Sequence, residues 1–308
     1  MNIDTQIAIT DFDNTQKIID LVLDSLTSEN SRRAYSKALN DFLSWYIAQG
    51  MPGLSKAVVQ RYKTQLLATG YSPSTINQHM SAIRKLAQEA ADNDLVEQTI
   101  ANGITRVKGV KTAGVRAGNW LTREQAQSML DTPELTKLKG MRDRAILGVM
   151  IGAGLRRSEV AKLTFAHIQQ RDGRWVIVDL IGKGNRVRTI PIPSWAKGAI
   201  DEWVNASSIN PIDTGRVFLP IHKGGWISGD SMTPQAIYNV VSEYAKILGV
   251  ELAAHDLRRT FAKLAHKGGA GIDQIQLSLG HASIKTTERY LGVEQDLHDA
   301  PCDRLGLK

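Results

Sequence analysis

The chain has 308 residues, 42% of them apolar and 22% charged, one cysteine and a net charge of +7, which suits two domains of ordinary size. A single cysteine, Cys302, excludes a disulfide framework or a cysteine-based zinc site within the chain, the longest weakly polar run (residues 145–155) is too short to span a bilayer, and Asp4, Asp11, Asp13, Asp20 and Asp24 give the N-terminus the wrong charge for a signal peptide, so a cytoplasmic protein without a membrane partner is expected. Residues 1–105 hold 9 Lys and Arg against 11 Asp and Glu, whereas residues 106–308 hold 29 against 20; a basic second half suits a polyanion, nucleic acid first, with a solubilising surface as the alternative.

Residues 1–105 read as helical throughout. A helix from Asp13 to Leu26 carries Ile18, Ile19, Leu21, Val22, Leu23 and Leu26. The next runs from about Glu29 to Gln49, with Ala34, Ala38, Phe42, Trp45 and Tyr46 at helical spacing, and stops at Gly50. A third spans Ser55 to Thr69, and a fourth starts at Ser72 or Ser74, with Pro73 in its first turn, and reaches about Ala91. Strand-like alternation is absent, so these form a small bundle with short loops. Arg32, Arg33, Lys37, Lys63, Asn77, Gln78, Arg84 and Lys85 are candidate DNA contacts, although an ordinary solvated helix surface explains any one of them equally well.

A boundary follows. Gly103, Gly109, Gly114 and Gly118 break regular structure, and Arg106, Lys108, Lys111 and Arg116 lie in a stretch with no acid between Glu97 and Glu124. A linker lying along phosphates favours that bias. The division is therefore a helical domain over 1–103, a basic linker over 104–119 and a second domain over 120–308.

The second domain opens on a helix capped by Thr122, with Gln125 completing a capping box. Helices from about Met141 to Ile151 and from Leu155 onward flank Gly152-Ala153-Gly154. Residues 174–180 and 186–192 then read as two strands joined by a turn at 181–185. Helices follow at about Ser194–Asn205, Pro234–Leu248, Leu257–His266 and Ile272–Leu279, and a short polar helix leads to Tyr290.

Several residues suit anion chemistry. Arg156 sits where a glycine-rich break becomes a helix, a place favourable to anions, and Glu159 one turn on could orient its guanidinium; a surface ion pair is the alternative. His255 and Arg258 project from one helix face and can hold phosphate oxygens, or be a helix cap and a surface arginine. Lys183 stands between two glycines at a ribbon tip, where it could donate a proton or be an ordinary hairpin lysine. His281 follows a glycine and Tyr290 comes nine residues later; they could equally be a helix-start histidine and a packed aromatic. A tyrosine phenol, with an ordinary pKa near ~10, becomes a nucleophile only with cationic help.

Taken in order, Gly154-Leu155-Arg156-Arg157-Ser158-Glu159, Gly182-Lys183-Gly184-Asn185, His255-Asp256-Leu257-Arg258, Leu279-Gly280-His281 and Tyr290 resemble the motifs of the tyrosine recombinases, or phage-type integrases. The resemblance runs over the whole chain. It departs at Gly152-Ala153-Gly154, where many relatives have Thr-Gly before the first motif, and at Arg259, where His is frequent. It implies a mainly α protein with a small antiparallel β-sheet: an N-terminal SAM-like core-binding bundle and a recombinase catalytic domain, without an arm-binding domain. It implies that Arg156 and Arg258 bind a scissile phosphate, His255 serves as general acid/base, Lys183 protonates the leaving 5′-oxygen, His281 hydrogen-bonds the phosphate, Glu159 supports the first arginine, and Tyr290 forms a 3′-phosphotyrosyl link. No metal or other cofactor is expected. The implied partners are double-stranded DNA core sites and, on synapsed DNA, a homotetramer built from monomers, with the tail from about residue 291 docking on a neighbour or folding back. Integration or excision of a mobile element is the implied setting; resolution of replicon dimers, a type IB topoisomerase-like activity and a catalytically silent, DNA-binding accessory protein are the alternatives.

Overall fold

The computed structural model describes residues 12–50, 53–111, 119–182, 187–210 and 215–292, with 12–15 and 289 described by backbone alone. Lys183, residues 112–118 of the predicted linker with Arg116 among them, and the tail beyond Gly292 lie outside the described residues. The chain forms two compact units, Met1–Val115 and Arg116–Lys308. Among the described residues no helix is long and apolar enough to cross a membrane.

In the first unit the described elements are α1 (Phe12–Asp24), α2 (Glu29–Ala48), α3 (Lys56–Ala68), α4 (Pro73–Asp92) and α5 (Gln98–Thr105). Helix starts fall where the cap residues dictate. The Ser55 and Ser72 hydroxyls accept from the backbone N–H groups of Val58 and Thr75, and each such cap stabilises its helix by ~1 kcal/mol. Ile18, Val22, Leu39, Phe42, Val59, Ile76, Met80 and Ile83 form the core.

Helix α5 is the departure from the sequence reading. Gly103 does not break regular structure but sits inside this helix. Ala101 and Ile104 are buried in the core, and that burial outweighs the ~1 kcal/mol a glycine costs a helix. The following residues stay with the bundle too. Val107 is buried, and its carbonyl accepts from Arg84 Nη2 at 2.9 Å. Lys63 Nζ donates to the Lys108 carbonyl at 3.1 Å. Asn77 donates to the Val110 carbonyl at 3.0 Å and accepts from its N–H at 2.7 Å. The first part of the predicted linker is thus fixed to the helices, and three candidate DNA contacts are the side chains that fix it. Others bond locally: Arg32 to the Leu26 carbonyl, Arg33 to Glu29, Arg106 to the Asn102 carbonyl. Lys108 and Lys111 are exposed.

The second unit runs α6 (Arg123–Asp131), α7 (Leu138–Gly152), α8 (Arg157–Lys162), β1 (Ile168–Arg171), β2 (Arg174–Ile181), β3 (Val187–Pro191), α9 (Ser194–Ser207), α10 (Pro234–Ile247), α11 (Ala254–Lys267), α12 (Ile272–Leu279) and α13 (Ile284–Leu291). The capping box at Thr122 and Gln125 forms in both directions. Helix α7 is buried along most of its length, and Ile146, Val149, Met150, Leu155, Val160, Ile177, Ile190, Trp203 and Leu257 belong to one core. The sheet is antiparallel in the order β1-β2-β3. The sequence predicts only two strands, because Ile168-Gln169-Gln170-Arg171 has no apolar alternation to announce β1. Register along β2 and β3 slips by one residue between Ile177↔Ile190 and Leu180↔Arg188. Asp179, at φ +55°, sits in this bulge, which sets Arg188 opposite the buried Leu180. The result is a mainly helical protein with one small antiparallel sheet.

Candidate active site

The site is built around the start of α8. Gly154 holds φ +62°, and a Cβ there would stand 2.7 Å from Phe261 and 3.3 Å from Leu279, so only glycine fits. The turn it makes leaves Arg156 at the N-cap of α8. Glu159 is buried, and its carboxylate accepts four hydrogen bonds. Two come from Arg156, through its backbone N–H and Nη1, both at 2.8 Å. Two come from Arg188 on β3, through Nη1 at 3.0 Å and Nη2 at 2.8 Å. Burial alone would raise the Glu159 pKa, but the hydrogen bonds and charge of Arg188, with those of Arg156, hold it below the usual carboxylate range.

A second anchor is the C-terminal end of α12, which closes on Gly280 in the left-handed conformation. A Cβ at Gly280 would stand 2.9 Å from Arg188 Cδ. The carbonyls that end a helix are free to accept and carry its negative pole. Here Ser278 accepts from Arg188 Nε at 3.0 Å, while Leu279 accepts from Arg258 Nη2 and, at 3.5 Å, from Arg156 Nη2. Arg258 is wholly buried and also donates to the Gly154 carbonyl at 2.6 Å. Burial first, then the charge of Arg156, pulls its pKa down to about 9, which leaves it charged at neutral pH. Its Nε has no hydrogen-bond partner among the described residues.

Tyr290, near the end of α13, completes the cluster. Its hydroxyl shares a hydrogen bond of 2.5 Å with His255 Nε2, and His255 and His281 both meet its ring edge-to-face, with centroids 5.6 and 5.2 Å away. His281 is turned by a 3.0 Å hydrogen bond between Nδ1 and the Thr287 hydroxyl. Burial, then Arg258 and Arg156, drives the His281 pKa down to about 4, and the same causes lower that of His255. Both imidazoles are therefore neutral at pH ~7, and a neutral His255 can take the phenol's proton. Burial raises the Tyr290 pKa, against the pull of Arg258, Arg259 and Arg156. A cleft lined by Arg156, Arg157, Ser158, Tyr238, His255 and Arg258 opens here. Fixed cationic donors beside a tyrosine with its proton acceptor in place suit a phosphodiester, whose attack builds charge on the non-bridging oxygens. Among the described residues no group of three or more His, Cys, Asp or Glu is placed to hold a metal ion.

Arg156, Glu159, His255, Arg258, His281 and Tyr290, predicted from sequence, are brought together; Lys183 lies outside the described residues. The sequence reading missed Arg188. The signal was strand parity, since Arg188 shares the inward face of β3 with Ile190 while Val187 points out.

Fold and side chains together define the class of the tyrosine recombinases, enzymes that break and rejoin DNA through a tyrosine. The sequence matches the Phage integrase family over residues 119–296 and the Phage integrase N-terminal SAM-like domain over residues 18–94. The chain belongs to the phage integrase family. It is 27% identical over 297 residues to the tyrosine recombinase XerD of Pseudomonas aeruginosa, covering 91% of this chain and 95% of that protein. Identity to the tyrosine recombinase XerC of Pseudomonas entomophila is 29% over 262 residues, 83% of each chain. In structure it resembles the XerH site-specific recombinase bound to palindromic difH substrate in a post-cleavage complex, with a TM-score of 0.68 at 18% identity over 94% of this chain and 87% of that one. A lambda integrase dimer bound to a COC′ core site also gives 0.68, at 14% identity over 92% of this chain and 78% of the other. At those identities the structural likeness speaks for the fold.

Proposed function

We propose that the chain cuts and rejoins duplex DNA at short core sites with Tyr290 as nucleophile. The observation that carries this is the hydrogen bond from the Tyr290 hydroxyl to His255 beside Arg156 and Arg258. In the reaction, the tyrosine oxygen bonds to phosphorus and the bond from phosphorus to the 5′-oxygen breaks. The phenol's proton passes to His255, and Lys183 protonates the departing oxygen. Arg156, Arg258 and His281 hold the non-bridging oxygens, and Glu159 holds Arg156. The 3′-phosphotyrosyl link conserves the bond energy, so a 5′-hydroxyl from a second duplex can reverse the attack; two such exchanges pass through a Holliday junction. Four copies on two synapsed sites would each supply one attacking tyrosine, assembled from monomers, with the tail from about residue 291 joining neighbours. The helical unit, with Arg32, Arg33, Lys63, Asn77, Arg84 and Arg106, and the basic segment carrying Lys108, Lys111 and Arg116, would clamp the core site on the nucleoid. Lys63, Asn77 and Arg84 then act by fixing the segment at Val107–Val110.

The setting we propose is integration or excision of a mobile element. Resolution of replicon dimers is the second reading, favoured by the near full-length match to XerD and XerC. Sequencing DNA trapped on the protein separates them, since the first predicts element ends and the second a single chromosomal site. The chemistry is tested with a nicked suicide substrate on a denaturing gel. Wild type should give a covalent adduct that Tyr290→Phe abolishes. No adduct from wild type on its own recovered site would leave a silent DNA-binding protein, and an adduct that survives in the variant would mean another residue attacks.

A further inference from the structure

Arg259 has no part in the roles given above, yet it touches the residue on which they turn. It lies on α11 one turn beyond His255, and its guanidinium stands over the face of the Tyr290 ring, 4.8 Å from the centroid. With His255 and His281 at the ring's edges, the tyrosine is boxed by two imidazoles and a guanidinium. Arg259 is not held there by a strong partner. Its Nη1 is buried without a hydrogen bond among the described residues. The nearest carboxylate, Asp256, is 4.0 Å away and spends its other oxygen on the Ala253 N–H. A buried guanidinium nitrogen without a hydrogen bond is costly, so its position over the ring calls for a compensating interaction.

The ring supplies one. A cation over an aromatic face is attracted to the neutral ring. It is attracted more strongly to a phenolate, because a full negative charge then develops beside it. We propose that Arg259 is a positioning residue for the nucleophile, holding the Tyr290 ring against His255 and stabilising the phenolate as the proton leaves. This rests on Tyr290 being the attacking residue. The other groups bearing on the phenol are His255, Asp256 and Arg258 from α11, Arg156 from the start of α8 and His281 from the turn between α12 and α13, with Glu159 and Arg188 behind them.

Two measurements test it, each on wild type, Arg259→Ala and Arg259→Lys. The first is the rate of adduct formation on nicked DNA at saturating protein, followed from neutral into alkaline pH. Arg259→Ala should be slower at neutral pH by about 3- to 30-fold. It should converge on wild type as alkali ionises the phenol, and Arg259→Lys should recover most of the loss. A deficit equal at every pH means packing alone and overturns the proposal. So does a lysine variant no faster than alanine. A loss of DNA affinity with a flatter salt dependence but wild-type adduct formation also overturns it, since Arg259 would then be a phosphate contact. The second measurement needs no DNA: the tyrosinate absorbance that wild type shows and Tyr290→Phe lacks, titrated with pH. It should move to higher pH in Arg259→Ala, and an unmoved titration sinks the proposal. If Tyr290→Phe still forms adduct, the function proposed above fails while the absorbance titration still judges the Arg259 contact.

Discussion

Asp143 and Glu159 are both buried carboxylates of the second unit, and both are wrapped in basic side chains. Around Asp143, Arg142 donates through Nε and Nη2 at 2.9 and 2.7 Å, Lys139 at 2.9 Å and the Tyr244 hydroxyl at 3.1 Å. Lys139 also reaches Glu243 at 2.7 Å. Two cations meet two carboxylates, and the charge closes. Around Glu159 the same residue types do not close. Arg156 and Arg188 share its one carboxylate, and Arg258 is buried beside them on backbone carbonyls alone. A closed network joins α7 to α10 and asks for nothing more. An open one retains positive charge that backbone carbonyls only partly offset, an arrangement that suits an anion such as a phosphate.

The largest expected effect breaks each network at its carboxylate. Asp143→Asn should lower stability by about 3–5 kcal/mol, the usual result of stranding a buried cation, read as a drop in Tm. Glu159→Gln should lose a similar amount, but with a different remedy. Inorganic phosphate should restore part of its Tm by entering the space beside Arg156 and Arg258, and should do nothing for Asp143→Asn beyond what it does for wild type. If phosphate rescues both variants alike, the contrast between closed and open networks is wrong.

A smaller effect is expected at Arg188. Its fork makes two charge-assisted bonds to Glu159 and one to Ser278, and lysine cannot reproduce that geometry. Bonds to charged groups contribute about 1.5–3 kcal/mol, so Arg188→Lys should slow adduct formation by roughly 10- to 100-fold. DNA affinity should hardly change, because Arg188 supports Arg156 without reaching the cleft. Affinity falling in step with rate would instead make Arg188 a direct phosphate contact.

Arg188 also shows where the sequence stops being legible. Helices that carry their own start signals, such as α3 at Ser55, α4 at Ser72 and α6 at Thr122, fall where local chemistry puts them. Arg156 with Glu159 and His255 with Arg258 leave other readings open one pair at a time, and it is the joint order of the motifs, in its resemblance to a family, that points to them. Helix α5 was hidden because Gly103 argues against it locally, and only the burial of Ala101 and Ile104 in the bundle overrides that. Arg188 was hidden because its partners, Glu159 and Ser278, are distant in sequence. The bulge at Asp179, on which its placement depends, leaves no mark on β3 itself. The roles given to Asn77 and Arg84 shifted likewise, since a polar helix face looks alike whether it meets DNA or its own chain.

The smallest effect is one of pH, and it separates the two networks without breaking either. His281 is held at a pKa of about 4 in the folded chain against an ordinary 6.5, and His255 is lowered too. Within that interval the unfolded chain binds more protons than the folded one, so stability is full above the ordinary value and declines as pH falls towards about 4. Glu159, lowered from 4.5, loses its contribution only at lower pH, after the histidines have had their effect. His281→Asn should therefore flatten the fall of Tm between pH ~6.5 and ~5. Phosphate should flatten it in wild type as well, because burial is the larger cause of the low His281 pKa but Arg258 and Arg156 add to it, and an anion beside them offsets their part. If the slope in His281→Asn matches wild type, the acid sensitivity arises elsewhere in the chain. If phosphate leaves the wild-type slope unchanged, the anion does not occupy the cationic cleft beside Tyr290, and the open network has some other partner.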